Sequence, residues 1–308
     1  MTGSSRGILG RRIGSVEVTT PLTRRAFLVT PAAAAQMKPS APQLCIFSKH
    51  LPNLNYDQLG KTSRQLGFDG VDLTTRPKGH VLPERAAEDL PRAVEAIRSH
   101  GLAVPMITTE LLSASHPTAR PILSTAARLK VPYYKLGYWR YGNRDVNQVL
   151  ADVKRDLEGL LELGKQYGIE AGFHNHSADY VGMALWDIRE IIRDLDPRWI
   201  GYYYDPAHAT VEGGAAGWQV SLRFALPRLK MVALKDFYWE KQKGRWQVKW
   251  CPMGEGMVNW PRVFSAFAAA RFTGPISLHV EYDSPDEMGA IARDLEFIRK
   301  HVKAAYGG

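Results

Sequence analysis

The chain has 308 residues, 45% hydrophobic and 23% charged, which suits a globular protein with one large core or two domains at most. No apolar run approaches the ~20 residues of a membrane-crossing helix, so no membrane partner is expected. The net charge of +9 is concentrated early: six basic residues (Arg6, Arg11, Arg12, Arg24, Arg25, Lys38) stand against Glu17 in residues 1–38, and the mild remainder argues against a nucleic-acid partner.

Thr23-Arg24-Arg25-Ala26-Phe27-Leu28, followed by alanines, has the layout of a twin-arginine export signal, with cleavage around Ala33 to Gln36. Residues 1–40 are therefore read as a leader and 41–308 as the folded domain, exported to the periplasm. Without a functional signal the protein would be cytoplasmic. The two cysteines, Cys45 and Cys251, form no disulfide framework.

From Gln43 onward, strand and helix signals alternate. Leu44–Ser48 is a short apolar strand and Tyr56–Leu66 a helix stopped by Gly67. Asp69–Thr74 is the second strand, and Pro83–Ser99 a helix ending at His100-Gly101. Leu102–Thr108 and Val131–Gly137 are strands, followed by helices at Thr118–Leu129 and Val146–Tyr167. Ile169–His174, Trp199–Tyr204, Lys230–Lys235 and Ile276–Glu281 complete the strands. Trp186–Leu195, Gly217–Leu226, Pro261–Ala270 and Glu287–Ala305 complete the helices. Eight strands, each followed by a helix, predict a parallel sheet, and this length fits a single-domain (β/α)8 TIM barrel, typically ~250 residues. The alternative is a doubly wound open sheet, but the turn after the first strand, SKHLPN, lacks the glycines that fold uses for phosphate. Tyr238–Met253, with tryptophans alternating around Lys243-Gly244, reads as a β-hairpin inserted after strand seven. Trp239, Trp246 and Trp250 either roof a pocket there or pack the hairpin onto the barrel.

Ionisable residues collect at the strand ends, which a barrel gathers into one pocket. His174 and His176 share a face of strand five. Asp205 ends strand six, with His208 three residues on. Lys235 ends strand seven, and Glu281 ends strand eight beside His279. Carboxylates and imidazoles converging from several strands are a divalent-metal donor set, and Asp205, Glu281 and His174 are its candidates. Glu281, Lys235 and His176 are the acid–base candidates; Lys235 could instead hold an oxyanion, or form a salt bridge with Glu281 or Asp205. His208, Lys135, Glu110 and Trp239 are candidates for holding substrate. The glycines around Glu255 read as a plain turn.

DGVDLTTRPKGHVLPE, FHNHS, YYDPAH, ALKDF, GEGMVNW and LHVEY together resemble the sugar phosphate isomerase/epimerase family, the xylose isomerase-like TIM barrels, from about Gln43 to His301. The resemblance implies a small-molecule carbohydrate substrate, proton abstraction next to a carbonyl, and a divalent ion, usually Mn, Mg, Zn or Co. It is compatible with a homo-oligomer. The family's metal set is Glu, Asp, His, Glu on strands five to eight. Asp205 and Glu281 match it, whereas His174 and Ala233 stand where a glutamate and a histidine are expected. Three outcomes follow: a remodelled metal site, metal-free acid–base chemistry by Lys235 or a histidine, or sugar binding without catalysis. An apurinic endonuclease, which shares the barrel, would need a richer set of ligands for three zinc ions.

Overall fold

The computed structural model describes residues 41–307; the leader read at residues 1–40 lies outside them. Eight parallel strands close into a barrel: β1 (Leu44–Phe47), β2 (Gly70–Thr74), β3 (Ala103–Thr108), β4 (Tyr133–Lys135), β5 (Glu170–His174), β6 (Ile200–Tyr204), β7 (Leu229–Leu234) and β10 (Ile276–Leu278). Closure is through β1, which pairs with β2 on one side and β10 on the other. The antiparallel hairpin expected after strand seven is present as β8 (Asp236–Gln242) and β9 (Arg245–Cys251).

Between strands run α1 (Tyr56–Leu66), α2 (Ala86–Ser99), α3 (Ala119–Arg128), α4 (Val146–Tyr167), α5 (Trp186–Ile192), α6 (Pro206–Ala225), α7 (Trp260–Ala269) and α8 (Glu287–Tyr306). Their ends follow local chemistry. Asn55 and Gln58 form a reciprocal capping box at the start of α1, and Gly67, at φ 97°, closes it. Asp145 caps α4 by accepting from the Gln148 N–H. The strands are buried almost throughout, as expected where helices cover the outer face and side chains fill the inside. Met106, Tyr203, Met231 and Ala233 form an apolar cluster of their own, apart from the large core.

One boundary differs substantially from expectation. The helix after β6 begins at Pro206, not Gly217. Asp205 caps it and Pro206 occupies its first turn, where a missing N–H costs nothing. The segment between strand six and Gly217, given no element from the sequence, is the start of the helix, and it fixes Asp205 and His208 one turn apart. The helix is broken at Gly214 (φ 57°, ψ −145°). Strand eight also ends early, at Leu278, so Glu281 stands on the loop beyond it.

Candidate active site at the barrel mouth

Asp205 is fully buried where β6 passes into α6, and its two oxygens have separate duties. Oδ1 accepts from the His208 N–H at 3.0 Å and caps the helix. Oδ2 faces Lys235 Nζ at 3.4 Å, His174 Nε2 at 3.6 Å and His208 Nε2 at 3.8 Å. These three facing atoms on His174, His208 and Asp205 are buried without a hydrogen-bond partner among the described residues. Asn175 locks the backbone here, donating to the Asp205 carbonyl at 2.9 Å and accepting from its N–H at 2.8 Å. Burial pushes the Asp205 carboxyl above its ordinary pKa, with Lys235 and the His208 N–H opposing. Burial, reinforced by neighbouring lysines, drives His174 and His208 well below theirs, so both are neutral at pH 7.

Lys235 is the single residue linking β7 to the hairpin. Its ammonium lies 4.6 Å from the centre of the Trp250 ring, a cation–π contact. Trp250 also meets His208 edge-on at 5.3 Å. The aromatic cover of the site is therefore Trp250. Trp239 is 38% exposed and touches Phe237 instead.

A cavity of about 130 Å³ opens above this cluster, lined among others by Lys49, Lys135, His174, His176, Lys235 and Glu281. Glu281 is bonded to Lys49 through both oxygens, at 2.9 and 3.1 Å. Burial raises its pKa, yet Lys235 and Lys49 outweigh burial and hold the carboxyl below its ordinary value, ionised. His176 donates from Nδ1 to the Ser177 carbonyl, at 2.8 Å. A carbonyl only accepts, so Nδ1 carries the proton and Nε2 of the neutral ring is a free base. Burial, then Lys235, lowers the His176 pKa to about 4, so the ring is neutral at pH 7. The same ring lies tilted against His208, with centroids 3.9 Å apart.

Lys135, at the end of β4, is 3% exposed and sits 3.3 Å from the centre of the Tyr138 ring. Glu110 stays on the rim, half exposed, facing Arg76 at 3.4 Å. His208 is fully buried behind the cavity, its Nδ1 paired with the Ser177 hydroxyl at 2.8 Å. The structure thus brings His174, Asp205, His208 and Lys235 together, with His176 and Glu281 beside them, and leaves Trp239 and Glu110 at the edge. Sequence reasoning assigned no role to Tyr138, which shares a 2.8 Å hydrogen bond with His174 Nδ1, to Asn175 or to Arg76. Asn175 lies inside the FHNH motif and Arg76 inside the DGVDLTTRPKGH motif; only the aromatic run GYWRYG after β4 hinted at Tyr138.

The expected metal set does not assemble. His174 and Asp205 meet, but Glu281 is committed to Lys49, and Ala233 is buried with Met106, Tyr203 and Met231. Among the described residues no group of three or more His, Cys, Asp or Glu is arranged to hold a metal ion. The lysine ammonium facing Asp205 Oδ2 supplies positive charge where the donor set would need an ion.

The Gly254 and Gly256 N–H groups do not face the cavity. They donate to Asp236 Oδ2 at 3.0 and 3.3 Å, and Trp260 Nε1 joins them at 2.7 Å. The GEG segment is a turn clasped by a buried carboxylate.

A family model described as "Xylose isomerase-like TIM barrel" matches residues 61–301. No curated protein matches the sequence. Among solved structures, a 3-keto-D-glucoside 4-epimerase from E. coli is 15% identical, with TM-score 0.67 over 84% of this chain and 99% of that one. A D-allulose 3-epimerase from Methylomonas sp. is 13% identical, with TM-score 0.66 over 85% and 99%. A xylose isomerase-like TIM barrel protein from Mycobacterium smegmatis, solved in complex with magnesium, is 14% identical, with TM-score 0.67 over 86% and 98%. At these identities the likeness is one of fold.

Proposed function

Since this chain belongs to the xylose isomerase-like TIM barrel family, we propose that it acts on a sugar derivative by abstracting a proton next to a carbonyl, as an isomerase, epimerase or related lyase. The observation that carries this reading is His176: a neutral imidazole of fixed tautomer, with a free basic Nε2, lining a cavity that also holds the Lys235 ammonium and the ionised Glu281. The names of the structural neighbours, which are sugar epimerases, supply the substrate class.

The step needs a base, a proton donor and a positive charge. His176 Nε2 or the Glu281 carboxylate takes the proton from the carbon beside the carbonyl. The electron pair of that C–H bond becomes a C=C bond, the carbonyl π pair moves onto the oxygen, and the enediolate charge develops against Lys235, fixed by Asp205 and Trp250. The protonated base can give its proton to the former carbonyl carbon, which isomerises the sugar, while water delivering a proton to the opposite face epimerises the centre. No step is routed through a divalent ion, because the described residues do not form its ligand set.

Solvent-deuterium exchange, followed by NMR over a panel of keto sugars and sugar acids, tests the proposal. Wild-type protein should wash deuterium into the carbon beside the carbonyl of at least one compound, and His176→Gln together with Glu281→Gln should slow it at least about a hundredfold. No exchange on any compound, or a double variant at full rate, sinks the reading. Binding without turnover is the second reading, favoured by Ala233 at a position that has no donor group. Export through the leader is proposed alongside, and cell fractionation with the mass of the mature chain decides it.

A further inference from the structure

The cations around the cavity are unequally partnered. Lys235 has Asp205 at 3.4 Å and Lys49 has Glu281 at 2.9 Å. Arg76 reaches Glu110 at 3.4 Å only through Nη1, while its buried Nε has no partner. Lys135 stands apart. Its side chain is buried and lines the cavity, yet among the described residues its ammonium has no hydrogen bond and no ion pair, only the face of Tyr138. A cation–π contact compensates only part of the lost hydration of an ammonium. A buried ammonium lining a cavity, with no carboxylate at ion-pair distance among the described residues, is poised for an anion that arrives with the ligand.

The surroundings limit which anion. Arg76 and Lys135 line the same cavity, and burial, with Arg76 close by, works against the charged form of Lys135, which an arriving anion would favour. Asp72 and Glu110 also act on Lys135 from nearby. Asp72 is fully buried and accepts from Thr108 at 2.8 Å, Ser277 at 2.9 Å and Tyr203 at 3.2 Å; its carboxylate offers a second oxyanion no donor. Two standing carboxylates beside two cations suit a monoanion and disfavour a phosphate dianion.

We propose that the substrate is a sugar acid whose carboxylate is held between Lys135 and Arg76, with its remaining carbons directed toward Lys235 and His176. This rests on the reading of the cavity as a sugar site. It extends that reading to a carboxylate subsite built from β4 and the loop after β2, separate from the Asp205–Lys235 cluster.

Isothermal titration of the full chain with D-gluconate, D-glucuronate, D-glucose and D-glucose 6-phosphate tests it. The two sugar acids should bind at least about tenfold tighter than glucose, the worth of one charge-assisted contact. Lys135→Met and Arg76→Met should each erase that preference, whereas Lys61→Met, an exposed lysine on α1, should keep it. If one variant fails to fold, the other and the wild-type preference still decide. Equal binding of glucose, tighter binding of the phosphate ester, or a preference surviving both variants overturns the proposal. So does a covalent Lys135 adduct with a keto sugar trapped by borohydride, which would make this amine a nucleophile. Anion-selective binding with no deuterium exchange refutes the catalytic reading and leaves this one standing. Exchange on neutral sugars with no acid preference does the reverse.

Discussion

The division of labour within Asp205 makes a clean comparison available. An asparagine keeps an oxygen that can cap α6 but removes the charge facing Lys235; an alanine removes both. Asp205→Ala should therefore be less stable than Asp205→Asn by about 1 kcal/mol, the usual worth of a helix cap, by urea unfolding. Equal stabilities would show that the cap contributes nothing. Lys235 invites a second test. With its ammonium gone, Asp205 Oδ2 and the two unpartnered imidazole nitrogens face one another without a cation. Lys235→Met should bind Zn²⁺ at least about tenfold tighter than wild type in a metal titration, since imidazole and carboxylate donors suit that ion. Wild-type protein binding zinc as tightly would mean that the lysine does not hold the place of an ion. At this scale the sequence was partly legible. Residues that end strands, such as Asp205 and Lys235, could be placed because topology alone carries them to the mouth. Other partners could not: Lys49 and Glu281 meet across 232 positions, and Tyr138 reaches the site from a segment whose path depends on tertiary contacts.

Among the elements, α6 is the instructive one. The Asp-Pro pair that opens it resembles a turn when read locally, because proline interrupts most helices. Only the capping role of Asp205 reveals it as a beginning. The break at Gly214 places φ at 57° and ψ at −145°, a region that side chains with a Cβ enter at a cost of about 1–3 kcal/mol. Gly214→Ala should lower stability by that order. Gly217→Ala, three residues along, lies where an added Cβ meets nothing within 4 Å and φ is not positive, so it should raise stability by about 0.5–1 kcal/mol. Thermal melts of the two variants shifting in the same direction would contradict this account of the break. The other elements read well from sequence because each carries its own period and its own stop signal, as α1 does with Gly67 and α4 with Gly168.

For the whole molecule, the buried histidines set the response to acid. Burial lowers His50 and His176 from 6.5 to about 4, and lowers His174, His208 and His279 well below their ordinary value. Between about pH 4 and 6.5 the unfolded chain therefore binds more protons at these sites than the folded one, and stability falls on acidification. Burial raises Asp72 and Asp294 from 3.8 to about 6, and raises Asp205 as well, which works in the opposite direction over nearly the same window. Five histidines outweigh three aspartates, at up to ~1.4 kcal/mol per pH unit for each unopposed group. Urea midpoints should drop steadily from pH 7 to pH 4.5, and a flat or rising profile would contradict the burial of these rings. The barrel itself was legible throughout, since eight repeats of one βα unit leave few alternatives; the chemistry inside was not, because it rests on which side chains pair across the mouth. The clasp around Asp236 has a further consequence, for inheritance. It gathers N–H groups from Gly254, Gly256 and Val258 at the root of the hairpin, so both ends are tied down independently of what lies between them. A ribbon anchored in this way is interchangeable. Descendants of this fold can acquire new ligand preferences by rewriting the stretch from Trp239 to Trp250, while the barrel beneath is passed on unaltered.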